Sequence, residues 1–209
     1  GQNFIILVSN TNDAPVVSTP LQTLVNEDSL FSYTHVATDV DAGDSLTFSA
    51  PTLPTWLSFN TATHVLSGTP TNSNVGNHSV VLRVNDGSVD VDNNFTLTVV
   101  NTNDAPVISG TPGTRTVEGI TYSFTPVASD VDVGDVLTYV ITNKPSWASF
   151  NSTTGSLTGT AADTNVGTTT GVIIGVNDGS VTVQLNAFNL TVVGDLDGDL
   201  TGDDIDTDI

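Results

Sequence analysis

Apolar residues recur at every second position through most of this chain. In Phe95-Thr96-Leu97-Thr98-Val99 the apolar side chains fall on one face and the threonines on the other, the alternation of a half-buried β-strand. Phe188, Leu190 and Val192 repeat that face, with Asn189 and Thr191 opposite. Val80-Val81-Leu82-Arg83-Val84 and Gly171-Val172-Ile173-Ile174-Gly175-Val176 are β-branched runs that end in Asn-Asp-Gly turns. Helical periodicity is nearly absent, and proline and glycine interrupt the pattern at short intervals. Short strands at this density predict an all-β fold of the sandwich kind.

The pattern is written twice. Asn10-Thr11-Asn12-Asp13-Ala14-Pro15-Val16 returns as Asn101-Thr102-Asn103-Asp104-Ala105-Pro106-Val107, an offset of 91 residues. Val36-Ala37-Thr38-Asp39-Val40-Asp41 returns as Val127-Ala128-Ser129-Asp130-Val131-Asp132, and Trp56-Leu57-Ser58-Phe59-Asn60 as Trp147-Ala148-Ser149-Phe150-Asn151. The only two glutamates, Glu27 and Glu118, keep the same spacing. A period of this size is a whole small domain rather than a solenoid unit. The expected division is a sandwich over 14–101, a second over 105–194, and a linker, Asn101-Thr102-Asn103-Asp104, between them.

Both ends fall outside that scheme. Residues 1–10 align with the last strand of the first repeat, so the chain opens on a final strand. Ile5 and Leu7 occupy the outward positions held by Thr96 and Thr98, which makes the segment Phe4–Val8 apolar on both faces. Uncovered, such a strand aggregates. It is expected either to close a preceding domain or to be donated to a neighbouring copy, building head-to-tail filaments. The far end, 195–209, is rich in aspartate and lacks lysine and arginine, so ordering it calls for bound cations. With no signal peptide at Gly1, the chain reads as an excerpt or a processed product.

Charge narrows the partners. Against 23 acidic residues stand three basic ones, for a net charge of −20. That field repels phosphates and anionic lipid heads, which argues against nucleic acid and membrane surfaces as partners. No apolar run approaches the roughly 18 residues of a membrane-spanning helix. Cysteine is absent, so disulfides and thiolate metal sites are unavailable. All but two of the acids are aspartate, whose short carboxylate suits tight loops and hard cations. A solvated acidic surface is the plainer alternative, but the acids recur at fixed repeat positions.

Taken together, Asn-Thr-Asn-Asp-Ala-Pro-Val, a glutamate downstream, Asp-Val-Asp-x-Gly-Asp and Val-Asn-Asp-Gly resemble a cadherin repeat. Pro54-Thr55-Trp56-Leu57-Ser58-Phe59 with Leu66-Ser67-Gly68-Thr69-Pro70 is similar to the dystroglycan-type cadherin-like, or immunoglobulin-like, domains of bacterial surface proteins. The resemblance covers about 14–194. It implies seven-stranded Greek-key sandwiches whose junctions bind Ca²⁺. The middle junction would use Glu27, Asn103, Asp104, Asp130, Asp132 and Asp178; the first would use Asn12, Asp13, Asp39, Asp41 and Asp86, and Glu118 would face the acidic tail. The chemistry agrees, since Ca²⁺ takes about six to eight oxygens from carboxylates, amides and carbonyls. Asx-turns made by the same residues are the competing account. The chain also departs from the cadherin pattern. Where cadherins carry Leu-Asp-Arg-Glu, it has Phe59-Asn60-Thr61-Ala62 and Phe150-Asn151-Ser152-Thr153. Two acids are lost each time, which implies one or two ions per junction instead of three.

Asp195, Asp197 and Asp199 start like an EF-hand loop, but Leu200 stands where glycine is required, which leaves a looser calcium-ordered turn. Trp56 and Trp147, each in an apolar run beside proline and phenylalanine, are expected in the cores rather than as sugar platforms. His35, His64 and His78 do not recur at the repeat offset and are read as surface or turn residues. The four Asn-x-Ser/Thr sequons match chance in so Asn- and Thr-rich a chain. No nucleophile–base–acid spacing and no pocket-forming insertion point to an enzyme. The functional expectation is an extracellular or cell-surface structural and adhesive protein, built of calcium-stiffened repeats and self-associating through Phe4–Val8. The alternative is a carbohydrate-binding accessory module, with a polysaccharide partner, of a secreted polysaccharide-degrading enzyme.

Overall fold

Each alternating run becomes a strand with its apolar face turned inward. The structure, a computed structural model, describes residue 3, residues 5–18 and residues 22–195. The chain divides into two units, Gly1–Thr102 and Asn103–Ile209.

The first unit contains β1 (Val16–Val17), β2 (Leu24–Asn26), β3 (Phe31–Thr34), β4 (Ala37–Thr38), β5 (Thr47–Thr52), β6 (Ser58–Asn60), β7 (Val65–Gly68), β8 (Gly76–Asn85) and β9 (Asp90–Val100). One sheet runs β2-β9-β8-β5 and the facing one β3-β7-β6, while β1 pairs with β4. Strand β2 lies parallel to β9, with Val25 opposite Val99. Since β1 with β2, and β3 with β4, are halves of broken strands, the pieces amount to a seven-stranded Greek-key sandwich.

The second unit repeats the plan with β10 (Val107–Ser109), β11 (Arg115–Val117), β12 (Thr121–Phe124), β13 (Val127–Ser129), β14 (Thr138–Thr142), β15 (Ser149–Phe150), β16 (Leu157–Thr160), β17 (Gly167–Asn177), β18 (Thr182–Gln184) and β19 (Phe188–Val193). Its sheets run β11-β19-β17-β14, with β18 on β17, and β12-β16-β15; β10 pairs with β13.

Phe31, Leu66, Val80, Leu82, Leu97 and Val99 form the first core, and Leu157, Val172, Ile174 and Leu190 the centre of the second. Trp56 and Trp147 pack against these cores from half-buried positions at their rims. The backbone just ahead of β6 and β15 explains a repeated glycine in β7 and β16. A Cβ on Gly159 would lie 2.7 Å from the Trp147 carbonyl oxygen and 2.9 Å from the Ala148 Cα, and Gly68 meets the Trp56 backbone in the same way.

Two histidines depart from the sequence expectation. His35 is fully buried, at 0 % exposure, because it continues the inward series Phe31, Tyr33 beyond the end of β3. His78 lies half-buried in β8, edge-on to the Trp56 ring with centroids 5.8 Å apart. Only His64 sits in a turn, at positive φ.

Candidate functional site

The Asp-x-Asp-x-x-Asp segments form tight turns rather than extended chain. The Asp41 amide donates to Asp39 Oδ1 at 2.9 Å, and the Asp132 amide donates to Asp130 Oδ1 at 2.9 Å. These are Asx-turns, and they draw the carboxylates towards one point. Asp39, Asp41 and Asp44 each bring an oxygen within 4.8 Å of the others, and so do Asp130, Asp132 and Asp135. Asp44 and Asp135 belong to the Asp-x-Gly-Asp end of the motif but were not among the sequence-predicted ligands. Their recurrence at the repeat offset was the available signal.

The Asn-Thr-Asn-Asp segments close over these turns by equivalent bonds. In the first unit, Asn12 Nδ2 donates to Asp86 Oδ2 at 3.0 Å and the Asp13 amide donates to Asp41 Oδ2 at 2.7 Å. In the second, Asn103 Nδ2 donates to Asp178 Oδ2 at 3.0 Å and the Asp104 amide donates to Asp132 Oδ2 at 2.8 Å. Asn10 Nδ2 adds a 2.8 Å bond to Asp41 Oδ1, a contact for which no sequence argument was made. Asp86 and Asp178 are held by the turns that follow them: Oδ1 of Asp86 accepts the Ser88 and Val89 amides, each at 2.7 Å, and Asp178 does the same with Ser180 and Val181.

Thus Asn12, Asp13, Asp39, Asp41 and Asp86 come together, as do Asn103, Asp104, Asp130, Asp132 and Asp178. Glu27 accepts the Thr102 amide at 2.6 Å through Oε1. Glu118 accepts the Asp195 amide at 3.1 Å in the corresponding way. Asp197 and Asp199, with the rest of the acidic tail and Phe4, lie outside the described residues.

One oxygen of each carboxylate serves the backbone, and the other is the informative one. Glu27 Oε2, Asp39 Oδ2, Glu118 Oε2 and Asp130 Oδ2 are buried and have no hydrogen-bond partner. These are two pairs of repeat-equivalent atoms, so the same vacancy in bonding arises twice. A buried carboxylate oxygen without a donor is costly unless a cation faces it. Arg83 is engaged elsewhere, bonding Asp90 at 2.7 Å and Asp92 at 2.6 Å on the outer face of the β8–β9 hairpin. Lys144 donates to the Pro145 and Ala148 carbonyls.

The titration of the surrounding acids reflects these bonds. The Val89 amide first, and then Asn12 and the Ser88 amide, hold Asp86 below the ordinary carboxylate range; the Val181 amide leads the same effect on Asp178. Asp44 and Asp135 are raised, first by loss of hydration and then by the neighbouring acids Asp41 and Asp39, or Asp132 and Asp130. Both side chains lie open to water, so the like-charge repulsion is the part with consequences for cation binding.

Comparison with known proteins follows the repeat boundaries. The family model described as Putative Ig domain matches residues 14–100 and 105–201. The "Serine-rich adhesin for platelets" of Staphylococcus aureus (strain MRSA252) is 29 % identical over 184 residues, covering 85 % of this chain and 13 % of the adhesin. In strain MSSA476 the corresponding share of the adhesin is 8 %, so the chain spans a small part of these relatives. Among solved structures, the extracellular cadherin domains 1–5 of protocadherin gamma B2 match 87 % of this chain and 40 % of that one, at 21 % identity and a TM-score of 0.60. Domains EC1-2 of human protocadherin-24 match 88 % of this chain and all of that one, at 19 % identity and a TM-score of 0.51. At these identities the likeness is one of fold.

Proposed function

This chain belongs to the Putative Ig domain family, in two tandem copies, and from that premise we propose that it is a calcium-binding adhesive module of an extracellular or cell-surface protein. The observation that carries the calcium reading is the set of four buried carboxylate oxygens without partners, Glu27 Oε2, Glu118 Oε2, Asp39 Oδ2 and Asp130 Oδ2. The clusters that contain Asp39 and Asp130 are made of carboxylates, with no histidine or cysteine in them among the described residues, which suits a hard cation such as Ca²⁺ rather than a metal that prefers nitrogen or sulfur. In this reading Asp39, Asp41, Asp44 and Asp86 hold ions in the first unit, and Asp130, Asp132, Asp135 and Asp178 in the second. Asn12, Asp13, Asn103 and Asp104 support them, and the bound ions order the linker 101–104. Glu27 and Glu118 supply carboxylates to ions of the same kind, and Asp195 joins Glu118.

Adhesion rests on the relatives. The staphylococcal protein is by name an adhesin for platelets, and the protocadherin structures are of cadherin domains. For this chain the proposed contact is self-association through residues 5–8. Ile5, Ile6, Leu7 and Val8 are 92, 84, 90 and 86 % exposed, and Ile5 and Leu7 stand where β9 carries its outward threonines, so the segment is apolar on both faces. Adding that segment as a strand to a second copy would cover it.

Calcium titration by calorimetry tests the first part: Asp41→Ala and Asp132→Ala should each lower the number of ions bound. Unchanged stoichiometry in both variants would remove the reading. Sedimentation in millimolar calcium tests the second. Ile5→Thr with Leu7→Thr should abolish assembly while both units stay folded, and a parent chain that is monomeric at high concentration defeats the strand-addition proposal.

A further inference from the structure

We infer that His35, Phe48 and His64 form an acid-responsive element that loosens the first sandwich, and only the first, in mildly acidic solution. His35 is 0 % exposed, and neither Nδ1 nor Nε2 has a hydrogen-bond partner. Its ring stands edge-on to Phe48, with centroids 5.7 Å apart at 89°. Phe48 in turn stacks on His64 at 3.8 Å. The His35 amide donates to the His64 carbonyl at 2.9 Å, so the turn over 61–64 is tied to the chain leaving β3. A buried imidazole and a half-buried one therefore flank a half-buried phenyl ring.

The second unit builds the same place without an imidazole. At the repeat offset, His35 becomes Pro126, Phe48 becomes Tyr139 and His64 becomes Gly155. His64 and Gly155 share a positive φ, +57° and +71°. A Cβ on Gly155 would lie 2.5 Å from the Tyr139 ring and 2.8 Å from Pro126. The three positions thus change as a set, with the tyrosine ring closing over space that His64 uses in the first unit. The fold does not need an imidazole there, and only the first unit has one.

Protonation puts two demands on this site. An imidazolium carries a charge, and both its nitrogens become donors. Here no acceptor meets either nitrogen. The rings beside it are Tyr33 from β3 and Phe48 from β5, and His64 from the turn before β7 is its electrostatic neighbour. Of these only His64 carries a second imidazole, and its nearness disfavours a charge on His35. Burial first, and His64 second, hold His35 below the usual imidazole range. A depressed folded-state value means that the unfolded chain binds more protons below pH 6.5. Stability is therefore complete above that pH and falls as the pH drops beneath it. A histidine that never protonates in the folded state sets the ceiling, an unfolding constant raised roughly 25-fold between pH 7 and pH 5.

The full chain supplies its own control, because each unit has one tryptophan, Trp56 or Trp147. Trp147→Phe leaves a reporter of the first unit and Trp56→Phe one of the second. Denaturant unfolding at pH 7 and pH 5, in calcium-free buffer, should show an excess pH sensitivity of the first unit, in the destabilising direction at pH 5 and no larger than that ceiling. Replacing the trio by its counterpart (His35→Pro, Phe48→Tyr, His64→Gly) should remove the excess. If both units weaken equally, or the excess survives the exchange, the inference is wrong. Should the triple variant fail to fold, NMR titration of the imidazole carbons decides the matter in the parent chain: His35 titrates below the ordinary imidazole value. A His35 that titrates at 6.5 or above overturns the proposal.

Discussion

Replacing Asp130 by asparagine should stabilise the second unit without calcium and destabilise it with calcium. Asp130 Oδ1 accepts the Asp132 amide at 2.9 Å, a bond that an asparagine oxygen can keep. Asp130 Oδ2 is buried without a partner, so an NH₂ in its place gives up no hydrogen bond. Carboxylate oxygens of Asp130 and Asp132 come within 4.8 Å, and Asp132 is only 6 % exposed. Two unit charges at that separation repel by about 0.9 kcal/mol in bulk water and about 3.5 kcal/mol at an effective dielectric of about 20. Removing one charge should therefore release about 1–3 kcal/mol, or roughly 5–20 °C in the melting temperature of a domain this size. Calcium reverses the sign. An ion at a hundred times its dissociation constant adds about 2.7 kcal/mol to the parent, and a variant lacking a ligand charge loses much of that gain. Melting followed through Trp147, in chelator and in millimolar calcium, should thus show the two proteins exchanging order. A variant less stable than the parent by the same margin in both solutions would refute the repulsion argument and the ion together.

Two further predictions rest on geometry already described. Gly159→Ala should destabilise the second unit by about 1–3 kcal/mol, the usual penalty of overpacking, because its Cβ would lie 2.7 Å from the Trp147 carbonyl oxygen; an unchanged denaturation midpoint would show that the neighbouring backbone yields freely. Asp86 is held below the ordinary carboxylate range chiefly by the Val89 amide, so its contribution is present above the unfolded value near 3.9 and is lost as pH falls through the folded one. Asp86→Asn should accordingly flatten the acid limb of first-unit stability below about pH 4, and parallel acid limbs for variant and parent would count against the bonding described.

Much of this molecule follows from local pattern alone. Alternation is a property of the backbone pleat, so Leu97 and Val99 on one side and Thr96 on the other needed no tertiary information to be assigned. The repeat offset likewise carried the two-unit plan and nominated the aspartates, since turns at equal positions in equal folds meet the same neighbours. Even His35 obeyed the alternation, continuing Phe31 and Tyr33; the lack of a histidine at the repeat offset, rather than its place in that series, suggested the surface. What the tertiary structure alone decided is which atoms go without partners. Asp39 and Asp130 each spend one oxygen on an Asx-turn and bury the other, a distinction within a single carboxylate that no residue pattern encodes. The same holds for the space around Phe48 and Tyr139. Whether a ring is flanked by two imidazoles or closes over a glycine depends on three separate segments of the chain meeting at one place in the sandwich. Burial is a sum over such distant neighbours, and so it becomes definite only when the sandwich closes.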